Sequence, residues 1–246
     1  MYRFYVDSDY IYDNTIRISG SDYNHISNVL RMTVGDRIIV NNKEGVDYYC
    51  VIDGITSDEV LVSVEYRKDS DAELDSRLYL FQALPKLDKM ELIIQKAVEL
   101  GVHEVIPVIT KRCVVKLDNG SRQNRKLARW QSIAEAAAKQ SARGIIPVVK
   151  EPMSYKDALK YAGNLDMNLI PYEQAKGMDE ARRIMEEAVS KESVGIFIGP
   201  EGGFEEDEVN DAIAAGCKVI SLGNRILRTE TAGMTVLSIL MFNISK

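Results

Sequence analysis

The sequence is short of the groups that mark metal and disulfide proteins. Its 246 residues include three cysteines, Cys50, Cys113 and Cys217, and two histidines, His25 and His103. The cysteines are far apart, odd in number and form no CxxC pair, which argues against a disulfide framework or a zinc site. No metal ligand is assigned. No apolar run approaches the roughly 20 residues of a membrane helix, so no membrane partner is expected. Residues 1–6 read as a first strand rather than a signal peptide, and a cytoplasmic location is expected. Neither GxGxxG nor GxxxxGK(S/T) occurs, which disfavours the dinucleotide and triphosphate sites built on those loops.

What is present suits a globular chain: 46% hydrophobic and 28% charged residues, enough for one large domain or two smaller ones. The net charge of −6 is unevenly spread. Residues 1–76 carry 7 basic and 15 acidic side chains (net −8), residues 77–150 carry 14 and 6 (net +8), and residues 151–246 carry 10 and 16 (net −6). A basic segment inside an acidic chain is a local footprint for phosphate, because attraction to a polyanion decays within about 10 Å. The same residues also suit a solvated helix face.

Taken in order, residues 1–68 hold short alternating segments (3–6, 36–41, 48–55 and 60–66) broken by glycine and asparagine, the pattern of a small β-barrel. A helix is expected at 21–31. The acidic, apolar-poor run DSDAELDS at 69–76 reads as a linker. Beyond it, the apolar run at 78–83, a helix over 89–100 closed by Gly101 and a strand at 104–109 form a βαβ unit with a parallel sheet. Helices follow at 124–142, 155–161, 178–190, 206–215 and 231–242, with strands at 145–149, 165–172, 193–198 and 218–222. The last helix is apolar on most sides, which suits either the subunit's own core or a partner subunit.

Two strands end in glycine-bearing, charged loops, Gly199-Pro200-Glu201-Gly202-Gly203-Phe204 and Leu222-Gly223-Asn224-Arg225-Ile226-Leu227-Arg228-Thr229-Glu230. In open α/β sheets ligands sit beyond the carboxyl ends of strands, so these loops are the expected site. Glycine there lets backbone approach a flat ligand. The acidic run 205–208 opens a helix, which the helix dipole favours, and reads as structural. Arg225 and Arg228 are not explained by capping.

The motifs IGPEGGF at 198–204, LGNRILRTETA at 222–232, KMELIIQKAVELGVHEVIPV at 89–108, RWQSIAEAAAKQSAR at 129–143 and HISNVLRMTVGD at 25–36 together resemble the bacterial RsmE family, the 16S ribosomal RNA uracil-N3 methyltransferases. The resemblance covers nearly the whole chain. It implies an α/β fold: a small PUA-like β-barrel for RNA binding at 1–70 and a SPOUT methyltransferase domain at 77–246, with a parallel sheet and a deep trefoil knot. It further implies a homodimer that uses S-adenosylmethionine to methylate N3 of a uridine in the decoding region of 16S ribosomal RNA, free or in the small subunit.

On that resemblance, Ile170, Pro171, Gly199, Glu201, Gly202, Leu222, Gly223 and Leu227 surround the cofactor. Arg228 is expected to orient uracil or steady its anion, with Glu201 and Glu230 as helpers in catalysis. Arg31, Arg112, Lys116, Arg122, Arg125, Arg129, Lys139 and Arg143 are expected to meet RNA phosphates. Asn224 stands where many relatives carry proline, which implies a less rigid loop. The acidic N-terminal part departs from a strongly basic RNA grip. Two alternatives stay open at this point: a SPOUT methyltransferase acting at another RNA position, and a non-catalytic RNA-binding or ribosome-assembly factor.

Overall fold

The computed structural model describes residues 1–114, 120–175 and 177–244, with backbone only at Arg122. Two compact units are present: Met1–Glu73 together with Ala138–Ile146, and Leu74–Ala137 together with the chain from Pro147 onward.

The first unit carries β1 (Arg3–Tyr5), β2 (Ile11–Tyr12), β3 (Thr15–Ser19), α1 (Gly20–Asn24), β4 (Arg37–Asn41), β5 (Val46–Ile55) and β6 (Glu59–Asp69). They form a six-stranded sheet in the order β1-β4-β5-β6-β3-β2, antiparallel except for the β1–β4 pair. Period-2 alternation places one face of each strand inward, such as Ile16 and Ile18 of β3 and Val60 and Val62 of β6. These join Ile26, Ile38 and Ile52 in one core. The helix expected at 21–31 is instead the five residues of α1 followed by a π-helical turn, His25–Val29, in which Leu30 N–H reaches the His25 carbonyl. β3 was not among the expected strands.

The acidic run at 69–76 is not a free tether. Glu73 Oε2 accepts a 2.6 Å bond from Arg143 Nη2, and Glu73 Oε1 accepts from the backbone N–H groups of Gly144 (2.9 Å) and Ile145 (3.1 Å). Arg3 donates to the Ala142 carbonyl, and the Tyr5 hydroxyl to that of Arg143, both at 2.9 Å. Gly144 fits because a Cβ there would fall 2.3 Å from Ser70 Cβ. Residues 138–146 are thus part of the first unit. Ile145 forms an isolated bridge with Glu44, so the strand expected at 145–149 shrinks to two residues.

The second unit contains β7 (Arg77–Ala83), α2 (Lys89–Glu99), β8 (Val102–Ile109), the first part of α3 (Ser121–Gln140), β9 (Val148–Val149), β10 (Met153–Ser154), α4 (Tyr155–Ala162), β11 (Met167–Pro171), α5 (Met178–Val189), β12 (Ser193–Ile198), α6 (Glu206–Ala214), β13 (Lys218–Ile220) and α7 (Thr229–Ile244). Its sheet is parallel throughout, in the order β10-β8-β7-β12-β11-β13, with β9 beside β8. The α/β fold with a parallel sheet is therefore as expected. β7 and β12 are apolar and buried almost without interruption, as strands covered on both faces are. At the centre the Phe81 and Phe197 rings stack at 4.4 Å.

Gly195 of β12 makes this packing possible. A Cβ there would lie 2.1 Å from Asn168 Oδ1 and 3.1 Å from both Phe81 and Leu165. Gly195→Ala is expected to lower stability by about 2 kcal/mol through overpacking, read as a lower urea midpoint with an unchanged slope. An unshifted midpoint would contradict this packing.

Candidate active site

The carboxyl ends of β11, β12 and β13 open on a cavity of about 310 Å³. Its walls come from three loops: Pro171, Tyr172 and Glu173; Gly199, Pro200, Glu201, Gly203 and Phe204; and Leu222, Gly223, Arg225, Ile226, Leu227 and Arg228. Lys89, Ile198, Thr229 and Ala232 complete it.

Local chemistry shapes the loop after β12. It turns back on itself, with Gly203 N–H bonded to the Pro200 carbonyl at 2.9 Å and Gly203 at φ +70°. Phe204 then enters the core. A Cβ on Gly199 would sit 3.2 Å from the Phe204 amide nitrogen and ring, so the return is open to glycine alone without adjustment. In the loop after β13, Gly223 takes φ +95° and its N–H is bonded to Ser221 Oγ. One side chain joins these loops: Thr229 Oγ1 donates to the Gly199 carbonyl at 2.6 Å and accepts from Gln82 Nε2 at 2.9 Å. Thr229 opens α7, as an N-terminal threonine there suggests, but its hydroxyl serves the neighbouring loop.

The acidic run 205–208 is structural. Glu208, buried, accepts from Glu205 N–H at 2.9 Å and from Lys111 N–H at 2.8 Å. Lys111 pairs with Asp207, and Arg112 with Glu205 at 2.8 Å. The Arg112 hydrogen bond holds the Glu205 carboxyl below its usual range. Arg112 also donates to the Gly202 carbonyl. It therefore buttresses the glycine loop.

Nearer the cavity, Lys89 Nζ lies 3.2 Å from Glu201 Oε1 and 3.3 Å from Glu230 Oε2. Burial works against ionisation of Glu201, yet hydrogen bonds from its own and the Lys86 backbone N–H, together with Lys89, hold its carboxyl below the ordinary range. Arg225 and Arg228 differ from these paired cations. Among the described residues neither side chain has an ion pair or hydrogen bond, and both residues line the cavity. None of the three cysteines lines the cavity, and burial pushes the Cys217 thiol up to about 11 and the Cys50 thiol to about 12.

Residues 72–241 match the model of an RNA methyltransferase domain and residues 18–65 that of an RNA methyltransferase PUA domain. The chain is 36% identical over 231 residues to the ribosomal RNA small subunit methyltransferase E of Bacillus subtilis, covering 93% of this chain and 90% of that protein. The chain belongs to the ribosomal RNA small subunit methyltransferase E family. A family member from Neisseria gonorrhoeae, solved bound to S-adenosylmethionine, superposes with a TM-score of 0.78 at 29% identity, over 97% of this chain and 95% of that one. A Legionella pneumophila protein solved with the same cofactor gives 0.79 at 30% identity, over 97% and 96%.

Set against the residues that the family resemblance implies, the cavity brings together Pro171, Gly199, Glu201, Leu222, Gly223, Leu227 and Arg228. It does not take in three others. The Ile170 side chain is fully buried in the core below, since strand alternation turns it away from the face that Pro171 presents. Gly202 sits under Arg112, and Glu230 stands behind Lys89. Sequence reasoning missed Lys89, Gln82 and the Gly199 contact of Thr229. The one available signal was a glutamine inside the apolar run LYLFQA.

Of the basic residues, Arg31, Arg125, Arg129 and Lys139 are exposed, with Arg129 paired to Glu91 at 2.8 Å and Lys139 over the Tyr5 ring. Arg143 is a correction: it is 3% exposed and held by Glu73, so it is not open to a phosphate. Arg112 is committed to Glu205 and Gly202. Lys116 and the Arg122 side chain lie outside the described residues.

Proposed function

We propose that this protein transfers a methyl group from S-adenosylmethionine to N3 of a uridine in the decoding region of 16S ribosomal RNA, in the cytoplasm and as a homodimer. The observation that carries this reading is a cavity at three parallel strand ends, part apolar and part glycine backbone, lined in part by Arg228, whose side chain has no ion pair or hydrogen bond among the described residues. The chain's membership of the methyltransferase E family supports it.

The residues fit the cofactor. Ile198, Leu222, Leu227 and Ala232 offer apolar walls for a flat base, and Gly199, Gly203 and Gly223 leave the backbone open to it. Glu201 provides negative charge beside a cationic ligand. When bound, S-adenosylmethionine supplies an electrophilic methyl group on a sulfonium. The chain's part is to orient, exclude water and govern charge. Uracil N3 must lose its weakly acidic proton, and Arg228 would stabilise the resulting imide anion. N3 lies on the pairing edge, so the uridine must be unpaired or turned out of its stack. The exposed Arg125 and Arg129 on α3 and Arg31 in the first unit would meet phosphates.

A second copy would cover the groove between α5 and α7, a cavity of about 390 Å³ whose wall includes Met178, Met185, Ile220 and Ile239. Sedimentation at twice the chain mass is expected; a monomer at micromolar concentration would reject the dimer. A trefoil knot is part of the reading. It is supported by the course of the chain, which leaves the edge strand β13 beyond β11 and returns as α7 to pack on α2 and β12. An experimental trace in which residues 222–228 do not pass through a loop would reject it. Calorimetry tests the cofactor: one S-adenosylmethionine site per chain is expected, and no binding at millimolar ligand would favour a non-catalytic RNA-binding role.

A further inference from the structure

Lys89, the first residue of α2, is the point at which three segments meet. The charged side chains facing its ammonium are Glu201, on the loop after β12, and Glu230, in the first turn of α7. Glu201 has other support, since it accepts from the Lys86 backbone N–H at 3.1 Å. Glu230 has less. Its Oε2 is shielded from solvent and makes no well-aligned hydrogen bond among the described residues, which leaves Lys89 as its counter-charge. Lys89 and Glu201 line the cavity, while Glu230 stands behind them.

We propose that Lys89 is a positioning residue for methyl transfer: by bridging Glu201 and Glu230 it holds the loop after β12 against the first turn of α7. This rests on the reading of the cavity as the methyl-transfer site. Two carboxylates and one ammonium leave the bridge itself with one formal negative charge, while Glu173, Arg225 and Arg228 also line the cavity. Without the ammonium, two like charges would share the space it fills, and one would take up a proton at a higher pH than before. The contact with Glu201, working against partial desolvation, holds the Lys89 ammonium above its usual range, so the bridge is in its charged form at neutral pH.

The test compares the parent with Lys89→Met, Lys89→Arg and the double variant Lys89→Met/Glu230→Gln. Melting temperatures between pH 5 and 8 need no substrate. In Lys89→Met the carboxylate pair is relieved by protonation, so its deficit against the parent should grow as pH rises. Glu230→Gln removes one charge and should flatten that dependence. In the transfer assay with 16S RNA at pH 7, Lys89→Met should lose about 10- to 100-fold in kcat/KM, with the rising limb of its pH profile moved upward by about one unit. Lys89→Arg should recover most of the loss. A melting deficit independent of pH and unchanged by Glu230→Gln would overturn the bridge, as would a Lys89→Met profile parallel to the parent's. A parent without transfer activity would reject the methyl-transfer reading, while the melting series would still decide whether Lys89 holds the two carboxylates.

Discussion

Arg228→Ala is expected to lower the turnover of methyl transfer about 100- to 1,000-fold, the range for removing one preorganised charge-stabilising group, with the affinity for S-adenosylmethionine changed by less than about threefold. The contrast between its two outcomes follows from where charge develops. Arg228 lines the cavity with its guanidinium uncommitted among the described residues. Lys89, Lys111 and Arg112 already neutralise carboxylates. An unpaired cation beside a cationic cofactor gains nothing in the ground state. Its use is with an anion, and the anion in the proposed reaction is the uracil imide. Single-turnover kinetics with saturating cofactor separates the two effects. A parental rate in the variant would remove Arg228 from the chemistry.

Arg143→Ala should cost the first unit about 3 kcal/mol, the usual result of breaking a buried ion pair by removing one partner. Arg143 has 4% of its side chain exposed and Glu73 18%, so neither charge can rely on water once the other is gone. Glu73 would keep its bonds to the Gly144 and Ile145 amides and lose the cation that offsets its desolvation. Glu73→Gln should cost a similar amount: its amide oxygen can still accept from those two N–H groups, but the buried guanidinium is left without its counter-charge. Urea unfolding followed by probes in the first unit measures both. An Arg143→Ala midpoint equal to the parent's would show that residues 138–146 are not anchored by this pair. In a folded Arg143 variant the salt dependence of RNA binding should match the parent's, since a buried guanidinium releases no counterions.

Arg143 also shows where a sequence stops being readable. The helix before it has an apolar face at 130, 134 and 137, and the charges of this stretch look like a row of phosphate contacts. Whether one of them turns inward depends on Glu73, 70 residues away, in a run whose composition is that of a linker. Pairings at such range leave no local period. The same holds for Gln82 and Thr229, 147 residues apart, whose hydrogen bond ties β7 to the start of α7. By contrast α2 and α5 were legible from the repeat of one buried face, and β7 and β12 from short continuous apolar runs. β3 has the right alternation, TIRIS, but at five residues it competes with the flanking turn signals.

In the site, the glycine loops were visible from their position after apolar strands. The roles of single side chains within them were not. Pro171 and Ile170 are neighbours in sequence, and strand geometry sends one to the cavity and the other to the core. The role of Lys89 left no local signal, because its partners Glu201, on a loop, and Glu230, in the first turn of α7, are more than 100 residues further along the chain.

The central claim is the transfer of a methyl group to uracil N3. Its most direct test is incubation with labelled S-adenosylmethionine and small subunits or 16S RNA lacking the modification, followed by nucleoside analysis of the product. Label is expected on N3 of one uridine in the decoding region. Label on a ribose 2′ oxygen, or on a base elsewhere in the RNA, would contradict it.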